Sequence, residues 1–364
     1  MGVTMPARTA TALSRLVGSS LGAEDFQLEA VRCLRQAIPF EGWCWATLDP
    51  DSTVPISALG ENSPLADLQR RHSESEWGPE PDFNKLTQLM AGPRRAAALC
   101  VTTGGQPGRS RRWCEMLRPL GFGDEMRGAM VADGNCWGSL TLYREKASRR
   151  FTEDDEDYLA FLLSGLAART RASIPERRQP DPLSMGPGVV TLDADLVPLA
   201  STREAERWLA GFSRWRGKEP LPSVFYAVIA RLRAGLPAHT RARTADGRWV
   251  RVQVSELFGP PAAGSLAVTI QPASPAELAP LLMSAARLTP REQQVCRYVL
   301  EGCSSADIAR ALQLSGHTVR DHLSAIFGKV GVRSRRQLMA ALLGSDRQTP
   351  ARRGTTAYRD FPGG

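Results

Sequence analysis

SGHTVRDHLSAIFGKVGV, residues 315–332, carries the pattern on which the reading of this chain turns. On a helical wheel of about 100° per residue, Val319, Leu323, Ile326, Phe327 and Val330 share one apolar arc of roughly 100°, the width of a core-facing stripe. Opposite them fall His317, Asp321, Ser324, Ala325 and Gly328, short or polar side chains where a merely solvated helix would carry long Glu and Lys. Arg320 flanks that face on one side, and Thr318, His322 and Lys329 flank it on the other. A slim ridge with cations and hydroxyls on its shoulders suits a helix that approaches a groove floor between two phosphate walls.

The flanking sequence completes a motif. LTPREQQV opens a helix with Thr289 as N-cap, Pro290 at the first helical position and Glu292 at the third, which is a capping box. Val295, Val299 and Leu300 supply its apolar face, and Gly302 ends it. Ser304 caps a short helix, SADIARAL, with Ile308, Ala309 and Leu312 turned inward. After only Gln313-Leu314, Ser315 caps the helix of the opening stretch. Two helices joined by so tight a turn make a helix-turn-helix. Ser334 and Gln337 predict a further capping box for a fourth helix, RRQLMAALL.

Charge points the same way. The net charge is +8 over 364 residues. From Leu288 onward there are eleven arginines and one lysine against six acids, so +6 of it lies in the last fifth of the chain. A basic module on a near-neutral body suits a polyanion, nucleic acid or membrane surface. Hydrophobic content of 42% and charged content of 23% are those of a globular protein. No apolar run reaches the roughly 18 to 20 residues of a membrane span. The N-terminal residues lack a signal-peptide core, and Pro6 spoils a myristoylation context, so the expected location is the cytoplasm. Seven scattered cysteines without a CxxC fit that address, as small buried hydrophobes or, at Cys33, Cys44 or Cys136, as redox-sensing thiols. None of the four histidines has metal-ligand spacing to a cysteine pair, and no metal or cofactor is expected.

Two Pro/Gly-rich stretches divide the chain. The expected domains are 1–172, a linker at 173–187, 188–272, a second linker at 273–283, 284–345, and a disordered tail at 346–364. In the first, a helical pattern at Phe26–Ile38 precedes apolar runs at 43–49, 97–103, 126–133 and 136–144 that predict strands. The last two form a hairpin turning at Asp133-Gly134. Thr152 and the acids after it open a closing helix whose Leu159, Leu162, Leu163 and Leu166 share one face. This order of elements resembles a GAF-type sensor domain. The WCW triplet at 43–45 lies either in a ligand cavity or in a plain core strand. In the second, GVVTLDADLVPLAST predicts two strands around Asp193–Asp195, and Ser201 or Thr202 caps a helix with Ala205, Trp208 and Leu209 inward. An Asp246-Gly247 hairpin then leads into a strand alternating through Val250, Val252 and Val254, and GSLAVTIQP adds another. That order resembles a PAS-like domain, a ligand holder or a dimerisation module.

The C-terminal resemblance is the specific one. Leu288 to Glu292, Val295, Gly302, Ile308-Ala309, Leu312, Ser315, Thr318-Val319, His322, Ile326, Lys329 to Val332 and Arg335 follow the pattern of the LuxR/GerE-type helix-turn-helix. The whole resembles actinobacterial regulators of that class. The resemblance implies a multidomain α+β protein: GAF-like and PAS-like sensor domains, then an all-α four-helix module. It implies a transcriptional regulator that reads double-stranded promoter or operator DNA through the major groove, as a homodimer. RNA polymerase is a further candidate partner, and any small-molecule effector of the sensor region is unidentified. It places Thr318, Val319, Arg320, Asp321, His322, Ser324, Lys329 and Arg335 at the DNA. Arg320, Asp321 and Ser324 take base-facing positions, and Thr318, His322, Lys329 and Arg335 take backbone ones. Arg320 suits guanine O6/N7; Asp321 either accepts from a cytosine amino group or orients Arg320 or Arg336.

No enzyme constellation is present: no P-loop, no GxGxxG after a strand, no GxSxG, no HExxH. GGQPGRSRR (104–112) is a phosphate-binding loop or a plain surface loop. The pattern of a phosphorylated receiver or of an acyl-homoserine-lactone binder is also missing. A sigma-factor-like promoter module shares the motif, but KVGVRSR and the fourth helix favour the LuxR type.

Overall fold

The hairpin at Asp133-Gly134 organises the first half of the computed structural model, which describes residues 7–65, 67–176, 185–212, 219–259 and 264–343. Both turn residues have positive φ, 51° and 78°, the geometry a two-residue hairpin of this twist demands. The chain divides into two units, Met1–Glu277 and Leu278–Gly364.

The first unit begins with α1 (Ala7–Val17) and α2 (Ala23–Ala37), followed by β1 (Gly42–Leu48), β2 (Pro55–Glu61), α3 (Gln69–Trp77), α4 (Leu86–Ala91) and β3 (Ala96–Ala98). Next come α5 (Leu99–Thr102), the hairpin strands β4 (Phe122–Ala132) and β5 (Asn135–Glu145), and α6 (Glu153–Ala172). The five strands form an antiparallel sheet in the order β2-β1-β5-β4-β3. Trp43, Trp45, Leu140 and Leu142 occupy one face and pack with Leu159, Leu163 and Leu166 of α6. That helix starts where the sequence predicts, on a Thr152–Asp155 capping box. It crosses β4 so closely that a Cβ at Gly128 would stand 2.8 Å from Leu163. The run at 97–103 departs from the strand expected there: pairing stops at Ala98 and the chain coils. Asp124 Oδ1 accepts the Cys100 N–H at 3.0 Å, and the Thr102 and Thr103 hydroxyls donate back to Ala98 and Leu99 carbonyls, so local hydrogen bonds replace the ladder.

The same strand order recurs in β6 (Gly188–Leu192), β7 (Pro198–Ser201), β8 (His239–Arg243), β9 (Trp249–Glu256) and β10 (Leu266–Pro272). They are arranged β7-β6-β10-β9-β8. Val250, Val252 and Val254 point into the core, as their alternation requires. Of the two possible caps for α7 (Arg203–Gly211), Thr202 does the work, accepting the Ala205 N–H at 3.2 Å. α8 (Ser223–Arg233) is buried continuously from Val224 to Arg231 because it lies between β9 and α3. An apolar helix with no solvated face needs a cover on both sides.

The two sheets meet along a polar seam. Arg241 donates to both carboxylate oxygens of buried Asp49, at 2.7 and 2.6 Å. Ser52 Oγ and Thr240 Oγ1 are 2.8 Å apart, and Arg231 donates to the Ser52 carbonyl at 2.8 Å. Of the linker expected at 173–187, residues 177–184 lie outside the described residues. The linker expected at 273–283 is instead mostly helical, within α9 (Pro275–Ala285), with Leu278, Ala279, Leu281 and Met283 buried. Its start repeats the Ser/Thr-Pro-x-Glu box: Glu277 Oε2 accepts the Ser274 N–H at 2.7 Å, and Ser274 Oγ accepts the Glu277 N–H at 3.3 Å. Proline richness masked that cap.

The second unit continues with α10 (Pro290–Leu300), α11 (Ser305–Leu312), α12 (Gly316–Val330) and α13 (Arg335–Leu343). Val295, Ile308, Val319, Leu323, Ile326 and Leu338 close its core. Gln313 at φ 54° supplies the tight bend between α11 and α12, and Gly331 at φ 75° ends α12. The tail expected at 346–364 lies outside the described residues.

Candidate nucleic-acid interface

The site is built on the N-terminal half of α12. Ser315 Oγ accepts the Thr318 N–H at 3.0 Å, which satisfies an orphan donor of the first turn and fixes where the helix begins. From that origin the helical period assigns each side chain a direction. Val319, Leu323 and Ile326 point inward, while Gly316, His317, Arg320, Asp321, Ser324, Ala325 and Gly328 are exposed. Thr318 and His322 are half-buried at the edge of that face. His317 Nε2 lies 3.6 Å from Asp321 Oδ2, one turn along, so the recorded neighbour of Asp321 is neither Arg320 nor Arg336.

Two glycines on the exposed face have no internal reason to be there. A Cβ at Gly316 or Gly328 would meet nothing within 4 Å. Glycine in a helix costs roughly 0.5–1 kcal/mol relative to alanine, and no packing contact within the unit offsets that cost here.

Three of the expected DNA-contacting residues are buried or held by other groups of the unit. Val319 is 0% exposed and is withdrawn from the site: it lies at the centre of the apolar arc and holds α12 to the core. Lys329 Nζ lies 2.8 and 2.7 Å from Glu292 Oε1 and Oε2. Burial pushes the Glu292 carboxyl up, but the hydrogen bonds from Lys329 and Thr289 outweigh it and hold it below the usual range. Arg335 Nη1 donates to the Cys303 carbonyl at 2.8 Å and Nη2 to Ser305 Oγ at 2.9 Å, tying α13 to the start of α11. Ser334 Oγ accepts the Gln337 N–H at 3.2 Å, as the expected box requires, while Gln337 Oε1 accepts the Arg333 N–H at 2.7 Å, one residue before the reciprocal position. Sequence reasoning passed over the exposed cations Arg310 and Arg333, whose only prior signal was the local excess of positive charge, and named Arg336, also exposed, only as a partner of Asp321.

A short turn, an inward-anchored second helix and a slim exposed face define a helix-turn-helix. Residues 286–342 match the family described as "Bacterial regulatory proteins, luxR family", and this segment is a LuxR-family helix-turn-helix domain. Over 52 residues the chain is 48% identical to a protein of Mycobacterium bovis named as an HTH-type transcriptional regulator, a stretch covering 14% of this chain and 6% of that one. Over 57 residues it is 42% identical to the HTH-type transcriptional regulator GfsR of Streptomyces halstedii, covering 16% and 24%. The chain thus spans less than a quarter of the length of either relative. Among solved structures, Escherichia coli SdiA aligns over 93% of this chain and 97% of its own at 14% identity, with a TM-score of 0.35. The GAF domain of the cyanobacteriochrome TePixJ aligns over 37% and 81% at 19% identity, with a TM-score of 0.27. Among the described residues no helix is long and apolar enough to cross a membrane, and no cluster of His, Cys, Asp and Glu could hold a metal ion.

Proposed function

We propose that this protein is a DNA-binding transcriptional regulator in which α12 reads the major groove, as a homodimer, under the control of a GAF-like and a PAS-like sensor module. The observation that carries the reading is the exposed face of α12, where Gly316, Ser324, Ala325 and Gly328 stand on a helix whose other side is locked into the core. A face that nothing inside the unit requires to be small is suited to an outside surface that comes close. Arg320 makes the bidentate contact to guanine, Ser324 a hydroxyl contact, and Asp321 accepts from a cytosine amino group or steers its neighbours. Thr318 and His322 meet the phosphates, together with Arg333 and Arg336. Lys329 and Arg335 act as positioning residues that hold α12 and α13 in place. The shared strand order of the two sheets supports related roles for the two N-terminal modules.

The test is selection of bound duplexes from a random library, followed by anisotropy titration of the full chain at several salt concentrations. A recovered palindromic site bound far more tightly than random duplex is expected, with a log–log salt slope reporting the phosphates neutralised. Equal affinity for selected and random duplexes would remove base reading by α12.

A further inference from the structure

The face of the first sheet turned away from α6 is lined with small side chains. Across β2, β1, β5 and β4 the register aligns Gly60, Cys44, Thr141 and Arg127 in one row, and Ala58, Ala46 and Ser139 in the next. Such side chains cannot fill the layer above them. His72, Ser73, Glu76 and Trp77 of α3 roof the gap, and Ser223 and Ala227 of α8 enter its wall, leaving a cavity of about 280 Å³. That volume is near the lower end of small-molecule sites.

The cavity is electrically closed. Arg127 Nη2 lies 2.8 Å from Glu76 Oε2, both side chains buried, and Glu76 Oε1 also accepts the Leu86 N–H at 2.5 Å. Burial pushes the Glu76 carboxyl up, but Arg127, His72, Arg112 and the Leu86 N–H together outweigh it and bring the group down to about 2. Burial also brings the His72 imidazole down to about 4, with Arg127 adding to the effect. Arg112, the next cation, is taken up by Glu125 and Asp82. At neutral pH the ionised pair therefore cancels and His72 is uncharged. A charged guest would bring into this space a charge with no counter-charge; a neutral guest needs only hydrogen bonds. Among the described residues His72 Nδ1 is buried without a hydrogen-bond partner, and Thr141, Ser139 and Ser73 add hydroxyls, while Leu65, Leu86 and Trp77 give an apolar wall.

We propose that this cavity binds a small uncharged amphipathic molecule, with a hydroxyl or amide on His72 and an apolar body against Leu65 and Trp77. Because α8 belongs to the second sheet and closes one wall, occupancy is felt by both sheet modules at once.

Shape-matched probes test this on the full chain: neutral benzamide and benzyl alcohol, anionic benzoate and cationic benzamidine, followed by calorimetric titration and thermal unfolding without DNA. The neutral probes should bind in the millimolar range, raise the melting temperature and slow hydrogen exchange in α8. Thr141→Val should weaken benzamide about tenfold, and Ser139→Phe should abolish its binding by filling the space. If Ser139→Phe does not fold, Ser139→Leu takes its place. The proposal is overturned if neither neutral probe binds, if a charged probe binds as tightly, or if filling the cavity leaves benzamide binding unchanged. These readouts are independent of DNA recognition, so failure here leaves the role of α12 standing, and the converse also holds.

Discussion

Lys329 of α12 completes the N-terminal cap of α10: its ammonium lies 2.7 Å from Glu292 Oε2, the oxygen that also accepts the Thr289 N–H at 2.6 Å. One carboxylate thus terminates one helix and anchors another. Lys329→Ala leaves that buried carboxylate without its cation, and should destabilise the C-terminal unit by about 2 kcal/mol. Hydrogen exchange across α12 in the full chain checks this. Unchanged protection with weakened binding to every DNA sequence would return Lys329 to a phosphate contact.

Arg320→Ala should behave in the opposite way. Its side chain is exposed, so stability should stay within about 0.5 kcal/mol. Specific DNA affinity should fall by about 1–3 kcal/mol, with relaxed preference at one base pair. Anisotropy titration against the selected site and its single-base variants measures both.

Gly328 separates stability from binding. Since a Cβ there meets nothing within 4 Å, Gly328→Leu should raise helix stability by up to about 1 kcal/mol. The same side chain would stand in the groove, so DNA affinity should drop. A variant that is both more stable and equally tight would put this face outside the interface.

The first unit should weaken in acid. The His72 imidazole titrates at about 4 in the folded chain, below its ordinary 6.5. Between those values the unfolded chain holds a proton that the folded one excludes, so stability falls as pH drops from 6.5 towards 4. Glu76, depressed to about 2, contributes stability that is present above its ordinary value and lost as pH falls through the folded one. Denaturant midpoints measured against pH should slope accordingly, and His72→Gln should flatten the upper part of that slope.

Asp49→Ala should be among the most damaging substitutions in the first unit. It removes the buried carboxylate that holds Arg241 and leaves the guanidinium only the exposed carboxylate of Asp51, at a cost of about 3 kcal/mol. Denaturant unfolding of the full chain should show the loss, with the seam between the sheets opening first under hydrogen exchange.

What was legible in the sequence was local. The caps at Thr152, Thr289, Ser304 and Ser315, the Asp133-Gly134 turn and the inward stripe of α12 each depend on residues a few positions apart. α9 carried the same signal at Ser274 and Glu277, hidden by its prolines. The slim exposed face of α12 was legible for the same reason, because one helical period assigns every side chain of α12. Val319 went astray by inheriting a role from a resemblance when its place on the wheel was already in the core.

Sequence alone therefore determined where helices begin, where hairpins turn, and which face of α12 is slim. Only the tertiary structure decided what the charged groups do. Arg241 meets Asp49 across 192 positions, and Lys329 meets Glu292 across 37. Those partners are chosen by packing, since a buried charge must find its counterpart wherever the fold brings one. The cavity over Cys44 and Thr141 arose the same way: small residues on neighbouring strands make a hollow only once the register has aligned them.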